Sequence, residues 1–150
     1  MNTCIIPVRK GSQRLKKKNY QKIYKYTVLE LTIIKALKSK VFDNIVINTD
    51  DIKLKKIANN FGIDFYLRSP SLANSTATSD QLVLDFFLNN KVDRVFWVNT
   101  ASPLQTISDI KKFVFNFIKK SLISSVSGND VGYHAYYKNT PINFNRKNGF

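Results

Sequence analysis

Apolar residues recur along this chain in two spacings, and the two alternate. Residues 3–8 (TCIIPV), 44–48 (NIVIN), 65–67 and 94–98 (RVFWV) are short runs of β-branched and aromatic residues. Such runs read as strands, and an unbroken apolar run fits a strand covered on both faces. Between them the period changes to that of a helix. Val28, Leu29, Leu31, Ile33, Ile34 and Leu37 predict a helix over 28–40. Leu54, Ile57, Ala58 and Phe61 give a second helix its inner face, with Asp50 and Asp51 as caps at its start and Gly62 as its stop. Residues 79–89 (SDQLVLDFFLN) predict a third. A fourth is capped by Thr106 or Ser108 and carries Ile110, Phe113, Val114, Phe117 and Ile118 on one side. Phe86, Phe87, Phe113 and Phe117 sit at helical spacing and read as core. Two weaker strand signals follow, at 123–126 and 133–137.

Strands that alternate with helices predict an α/β fold with a mostly parallel sheet and helices on both of its faces. A length of 150 residues suggests one domain, and no repeat or linker divides residues 1–150. In such a sheet ligands bind beyond the carboxyl ends of the strands. Four polar segments fall there: 9–19, 49–51, 68–79 and 99–106. A purely structural turn would not need so many polar groups, and their convergence points to an enzyme or a nucleotide binder.

Charge adds a second constraint. The net charge is +14, which has two readings. Clustered cations attract nucleic-acid phosphates. Cations spread over helix surfaces form a solvated face and leave small polyanions as the ligands. Lys35, Lys38, Lys53, Lys55, Lys56, Lys111, Lys112, Lys119 and Lys120 fall on predicted helices, mostly at polar positions, which favours the second reading. Only Arg14, Lys16, Lys17 and Lys18 form a dense patch in a loop. No apolar run approaches the ~20 residues of a membrane span. Residues 3–8 are too short for a signal peptide, and the single Cys4 cannot form an internal disulfide. These features lead us to expect a cytoplasmic protein with neither membrane nor nucleic-acid partners. His134 stands alone, without a ligand set around it.

The segment VRKGSQRLKKKN is the most informative of the four. Gly11 and Ser12 allow tight turns and close approach to phosphate oxygens. Arg9, Arg14 and Lys18 offer charge-assisted donors, and Arg9 directly follows a buried strand, so it projects at the site. Neither a Walker loop nor a dinucleotide fingerprint is present.

IIPVRKGSQRLKKKN at 5–19 resembles the N-terminal signature of the cytidylyltransferases that activate sugar acids, chiefly the acylneuraminate (CMP-sialic acid) synthetases. FDNIVINTDD at 42–51, LRSPSLANSTATS at 67–79 and WVNTASPLQT at 97–106 match in the same order. The resemblance covers about residues 3–127 and extends, more distantly, to the KDO cytidylyltransferases. It implies a Rossmann-like three-layer α/β/α nucleotidyltransferase fold. It also implies CMP transfer from CTP to the anomeric hydroxyl of a sialic-acid-like sugar acid, with release of pyrophosphate, for surface polysaccharide synthesis. Arg9, Gly11, Ser12, Arg14, Lys18 and Asn19 match the loop that holds the CTP phosphates and ribose, with Arg9 and Lys18 as the catalytic cations. Arg68, Ala77 and Ser79 match contacts to the cytidine half. Asn99 and Ser102 match positions toward the sugar acid. Magnesium and a homodimer are implied as well.

Several positions depart from the family pattern. Gln13 stands where a basic residue is usual, and Lys16 and Lys17 replace a Pro and a small residue. Ser75 stands for an Asp, Ala101 for a Thr and Gln105 for an Arg. The resemblance further implies that the metal-binding aspartates lie beyond Phe150, so the chain is expected to lack the C-terminal part of the family domain. The alternative is a non-catalytic nucleotide- or sugar-binding remnant of that family.

Overall fold

The computed structural model describes residues 1–11, 18–74, 76–125, 136–137 and 140–141. Strand β1, Asn2–Val8, is the centre of the sheet and is buried almost throughout, as its unbroken apolar sequence requires. A short turn of 3₁₀-helix, Lys18–Tyr20, leads into a small hairpin of β2, Lys22–Ile23, and β3, Tyr26–Thr27.

Helix α1, Val28–Ser39, opens with a capping box: Thr27 Oγ1 accepts from the Glu30 N–H at 3.2 Å, and the Thr27 N–H donates to Glu30 Oε2 at 2.7 Å. Strand β4, Asn44–Thr49, follows, then a 3₁₀ turn, Ile52–Leu54, and α2, Lys55–Phe61. Gly62 ends α2 at φ +63°, a left-handed conformation that favours glycine, and its N–H returns to the last turn. Strand β5, Asp64–Leu67, precedes a short 3₁₀ turn at Pro70–Leu72 and helix α3, Ser79–Asn89, whose box pairs Thr78 with Gln81. Strand β6, Arg94–Trp97, leads to α4, Ile107–Lys119. Of the two caps expected for α4, Thr106 fills the role, boxed with Asp109. A two-residue pair, β7 (Tyr136–Tyr137) with β8 (Thr140–Pro141), closes the description. The strand expected over 133–137 is described only at these last two residues.

The main sheet runs β5-β4-β1-β6, all parallel. Two apolar layers cover it. On one face Ile6, Val8, Ile45 and Ile47 pack with Leu29 and Ile33 of α1, Ala58 of α2 and Ile110 of α4. On the other, Ile5 and Val46 pack with Phe86 and Val83 of α3. The expected three-layer α/β/α architecture therefore holds. The chain steps outward from β1 to β4 and β5, then crosses to β6 on the far side of β1. This switch in direction opens a crevice at the carboxyl ends of β1 and β6.

Three expectations need correction. Residues 123–125 of the strand expected at 123–126 are not in a strand: Ile123 is fully exposed and pairs with no described strand, and Val126 lies outside the described residues. Phe87 is not core, because α3 turns Leu82 and Phe86 to the sheet and leaves Phe87 toward solvent. Asp50 does not cap a helix. Asp51 does, accepting from the Lys53 N–H at 3.1 Å, whereas the Asp50 carboxylate turns to the neighbouring loops.

Candidate active site

The carboxyl ends of β1, β5 and β6 enclose a cleft of about 260 Å³. Pro7, Trp97, Leu72 and Leu82 give it apolar lining. Pro7 and Trp97 follow from the two-residue period of β1 and β6, which sends alternate side chains to the α3 face. Most of the remaining lining is polar. Arg9, Gly11, Lys18, Asn19, Arg68, Ala77, Ser79 and Asn99, all singled out in the sequence, line it together with Asn74 and Thr100. Ser12 and Arg14 lie outside the described residues. Ser102 is described but stands apart from the cleft: it is exposed, and its N–H donates to the Asn99 carbonyl at 3.2 Å, forming the turn that follows β6.

Two of the cleft's cations, Arg9 and Arg68, are held by the chain around them. Arg9, the first residue after β1, donates from Nε to the Gly11 carbonyl at 2.7 Å and from Nη1 to the Asn74 carbonyl at 2.9 Å. The second bond ties the first loop to the third. Arg68, the first residue after β5, is buried and donates from Nη2 to the Val8 carbonyl at 2.8 Å. The same nitrogen lies 3.4 Å from Asp50 Oδ1. Burial pulls the Arg68 pKa down and Asp50 opposes that shift, while the nearby Arg9 charge adds to it. Its Nε is also buried and has no hydrogen-bond partner among the described residues. A buried donor without an acceptor is costly, so this nitrogen suits an acceptor brought by a ligand or by water.

Lys18 and Asn19 enter on the 3₁₀ turn at Lys18–Tyr20. Asn19 is buried, and its Oδ1 accepts from Thr100 Oγ1 at 2.8 Å, linking the end of the first loop to the segment after β6. The Tyr20 hydroxyl donates to Asp51 Oδ2 at 3.0 Å. Burial, then the bond to Asp51, pushes the Tyr20 pKa up to about 12. On the opposite wall Asn74 Oδ1 accepts from the N–H groups of Thr76 at 2.9 Å and Ala77 at 2.8 Å, shaping the turn that brings Ala77 and Ser79 to the cleft. Asn99 Oδ1 accepts from the Ala101 N–H at 2.9 Å.

Sequence reasoning missed Asn74, Thr100 and Asp50. Asn74 meets Arg9 through a backbone carbonyl, which no side-chain pattern reports. Thr100 pairs across 81 residues. Asp50 was hidden by its neighbour, since two consecutive aspartates before a helix read alike as caps.

With this geometry in hand, comparison with known proteins is decisive. A family model described as cytidylyltransferase matches residues 3–148. The chain belongs to the cytidylyltransferase family. Among curated relatives, the post-translational flagellin modification protein B of Campylobacter coli is 32% identical over 133 residues, spanning 82% of this chain and 57% of that protein. The pseudaminic acid cytidylyltransferase of Campylobacter jejuni serotype O:2 is 28% identical over 124 residues, spanning 79% of this chain and 53% of that protein. The chain thus spans about half the length of these curated relatives. Among solved structures, a cytidylyltransferase from Leptospira borgpetersenii superposes with a TM-score of 0.64 at 25% identity, covering 79% of this chain and 49% of that one. A CMP:2-keto-3-deoxy-manno-octonic acid synthetase complexed with CTP shares the fold, with a TM-score of 0.68 at 17% identity over 80% of this chain and 48% of that one.

Among the described residues no group of three or more His, Cys, Asp or Glu comes together. Asp50 and Asp51 are already committed to Arg68, Lys10 and Tyr20. The described residues therefore offer no ready ligand set for the magnesium that the resemblance implies. No described helix is long and apolar enough to cross a membrane.

Proposed function

We propose that the cleft binds CTP and that this cytidylyltransferase-family chain supplies the nucleotide half of a CMP transfer to a sialic-acid-like sugar acid. The supporting observation is the convergence of Arg9, Lys18 and Arg68 on one cleft at the switch point of the sheet. On this reading Arg9 and Lys18 face the triphosphate, where fixed cations offset the charge that develops on the α-phosphate. Arg68, Ala77 and Ser79 meet the cytidine, and the buried Arg68 Nε offers a donor to a base acceptor. Asn99, with Ser102 behind it in the same turn, faces the sugar acid.

The anomeric hydroxyl of the sugar acid attacks the α-phosphorus in line. An oxygen–phosphorus bond forms, the bond to the β-phosphate breaks, pyrophosphate leaves and the hydroxyl proton passes to solvent. Relatives named for pseudaminic acid and N,N'-diacetyllegionaminic acid support a nonulosonic acceptor. The same reading assigns the work to the cytoplasm, to a homodimer and to the activation of sugars for surface polysaccharides. Magnesium would enter with the triphosphate and neutralise part of its charge, without a ligand set among the described residues.

Calorimetric titration of the protein with CTP, with ATP as the control, tests the nucleotide assignment. CTP is expected to bind at least about tenfold tighter, a difference of about 1.4 kcal/mol. Equal affinity for the two nucleotides would remove the cytidine assignment.

A further inference from the structure

Asp50 and Asp51 follow β4 as neighbours, and their side chains part in opposite senses. Asp50 Oδ1 accepts from the Lys10 N–H at 3.0 Å and lies 3.4 Å from Arg68 Nη2. Lys10 is the second residue of the basic loop. Asp51 Oδ2 accepts from the Tyr20 hydroxyl at 3.0 Å, immediately beyond Lys18 and Asn19 at the end of that loop. Asp51 is buried, and its second oxygen caps the next turn through the Lys53 N–H, so it cannot swing away freely. Its own N–H donates to Thr49 Oγ1 at 3.0 Å, which fixes its backbone as well. Two adjacent carboxylates at the carboxyl end of β4 thus grip a loop at both ends.

We propose that Asp50 and Asp51 are positioning residues, which pin the start and the end of the basic loop so that Arg9 and Lys18 are presented to a triphosphate in one geometry. Tyr20 is the loop's own half of the second tie. The proposal rests on the reading of this cleft as a nucleotide site. It goes beyond that reading by assigning a role to two acidic side chains that would otherwise repel a triphosphate. Their negative charge is spent on Arg68, a backbone N–H and a phenol, so the cleft keeps its cations and gains order.

Physical chemistry makes the arrangement effective. Holding a charged group in its productive place before the ligand arrives removes an ordering cost from binding. A carboxylate that accepts from N–H or O–H groups makes a stronger tie than a neutral pair. The Tyr20 phenol, protonated throughout the neutral range even at its ordinary pKa, stays a donor to Asp51 there.

The test uses Tyr20→Phe and Asp50→Ala in the full chain. Y20F removes one oxygen and leaves the Asp51 cap on Lys53 in place. Affinities for CTP and for cytidine are measured by calorimetry, and amide exchange at residues 10 and 18–21 by NMR. Y20F is expected to weaken CTP by roughly three- to tenfold, the range carried by one lost hydrogen bond, with cytidine unchanged. Exchange at 18–21 is expected to quicken while residue 10 stays as it was. D50A is expected to quicken exchange at residue 10 and to leave 18–21 as they were. Equal weakening of CTP and cytidine by Y20F would overturn the proposal in favour of a general structural role. Unchanged exchange at both ends would overturn it outright. If the unsubstituted chain shows no preference for CTP, the nucleotide reading fails instead, and the exchange data still decide whether the two aspartates hold the loop.

Discussion

Arg68 shows most clearly how a single side chain joins fold and site. It is a cation buried among strand ends, sustained by the Val8 carbonyl and by Asp50. Replacing it with Met fills similar volume but takes the guanidinium donor from the Val8 carbonyl and leaves Asp50 Oδ1 only the Lys10 N–H. Stability is expected to fall by about 1–3 kcal/mol, the cost of unmet buried polar groups, read from the urea midpoint. A variant as stable as the parent would show that the guanidinium contributes nothing to the fold. Sequence reasoning reached Arg9 because a charged residue that directly follows a buried strand must emerge at the sheet's edge, and Lys18 because it ends a basic loop, whereas Arg68 came only from the family resemblance. It did not reach Thr100 or Asn74. Their partners lie 81 and 65 residues away, and one of those bonds uses only a backbone carbonyl. Distance along the chain erases such signals, whereas the position after a strand is local.

At the scale of elements, the helices were legible to the extent that their ends carry local chemistry. Helix α3, Ser79–Asn89, matches its expected span because Thr78 and Gln81 close a box on its first turn. Thr27 with Glu30, and Thr106 with Asp109, do the same for α1 and α4. Three capping boxes among the described residues are a testable feature. Thr78→Ala and Thr106→Ala are each expected to cost about 0.5–2 kcal/mol. The two caps lie on opposite faces of the sheet, so the double variant should show the sum in denaturant melts. A sum that fails would mean the helices are coupled more closely than their packing indicates. The expected strand at 123–126 failed for a matching reason. A short β-branched run becomes a strand only when a neighbouring strand accepts it, and Ile123 has none beside it among the described residues. Strand signals are conditional on tertiary partners, while a capping box is complete within four residues.

At the scale of the whole molecule, the sheet order places its switch point beside β1, and the cleft forms there. The same crossover divides the helices, with α1, α2 and α4 on one face and α3 on the other. Three of the chain's cations, Arg9, Lys18 and Arg68, line this cleft beside the apolar Pro7, Leu72, Leu82 and Trp97. A second groove, lined by Asn44, Asp64, Phe65 and Lys91, lies at the opposite, amino-terminal end of the sheet. It carries an aspartate and one lysine, a poorer match to a triphosphate.

The location of bound CTP therefore tests the account most directly. A crystal structure of the protein soaked with CTP is expected to show the triphosphate against Arg9 and Lys18, with the cytosine beside Arg68, Ala77 and Ser79. CTP seated in the groove at the amino-terminal end of the sheet, or no CTP in the cleft at saturating concentration, would contradict it.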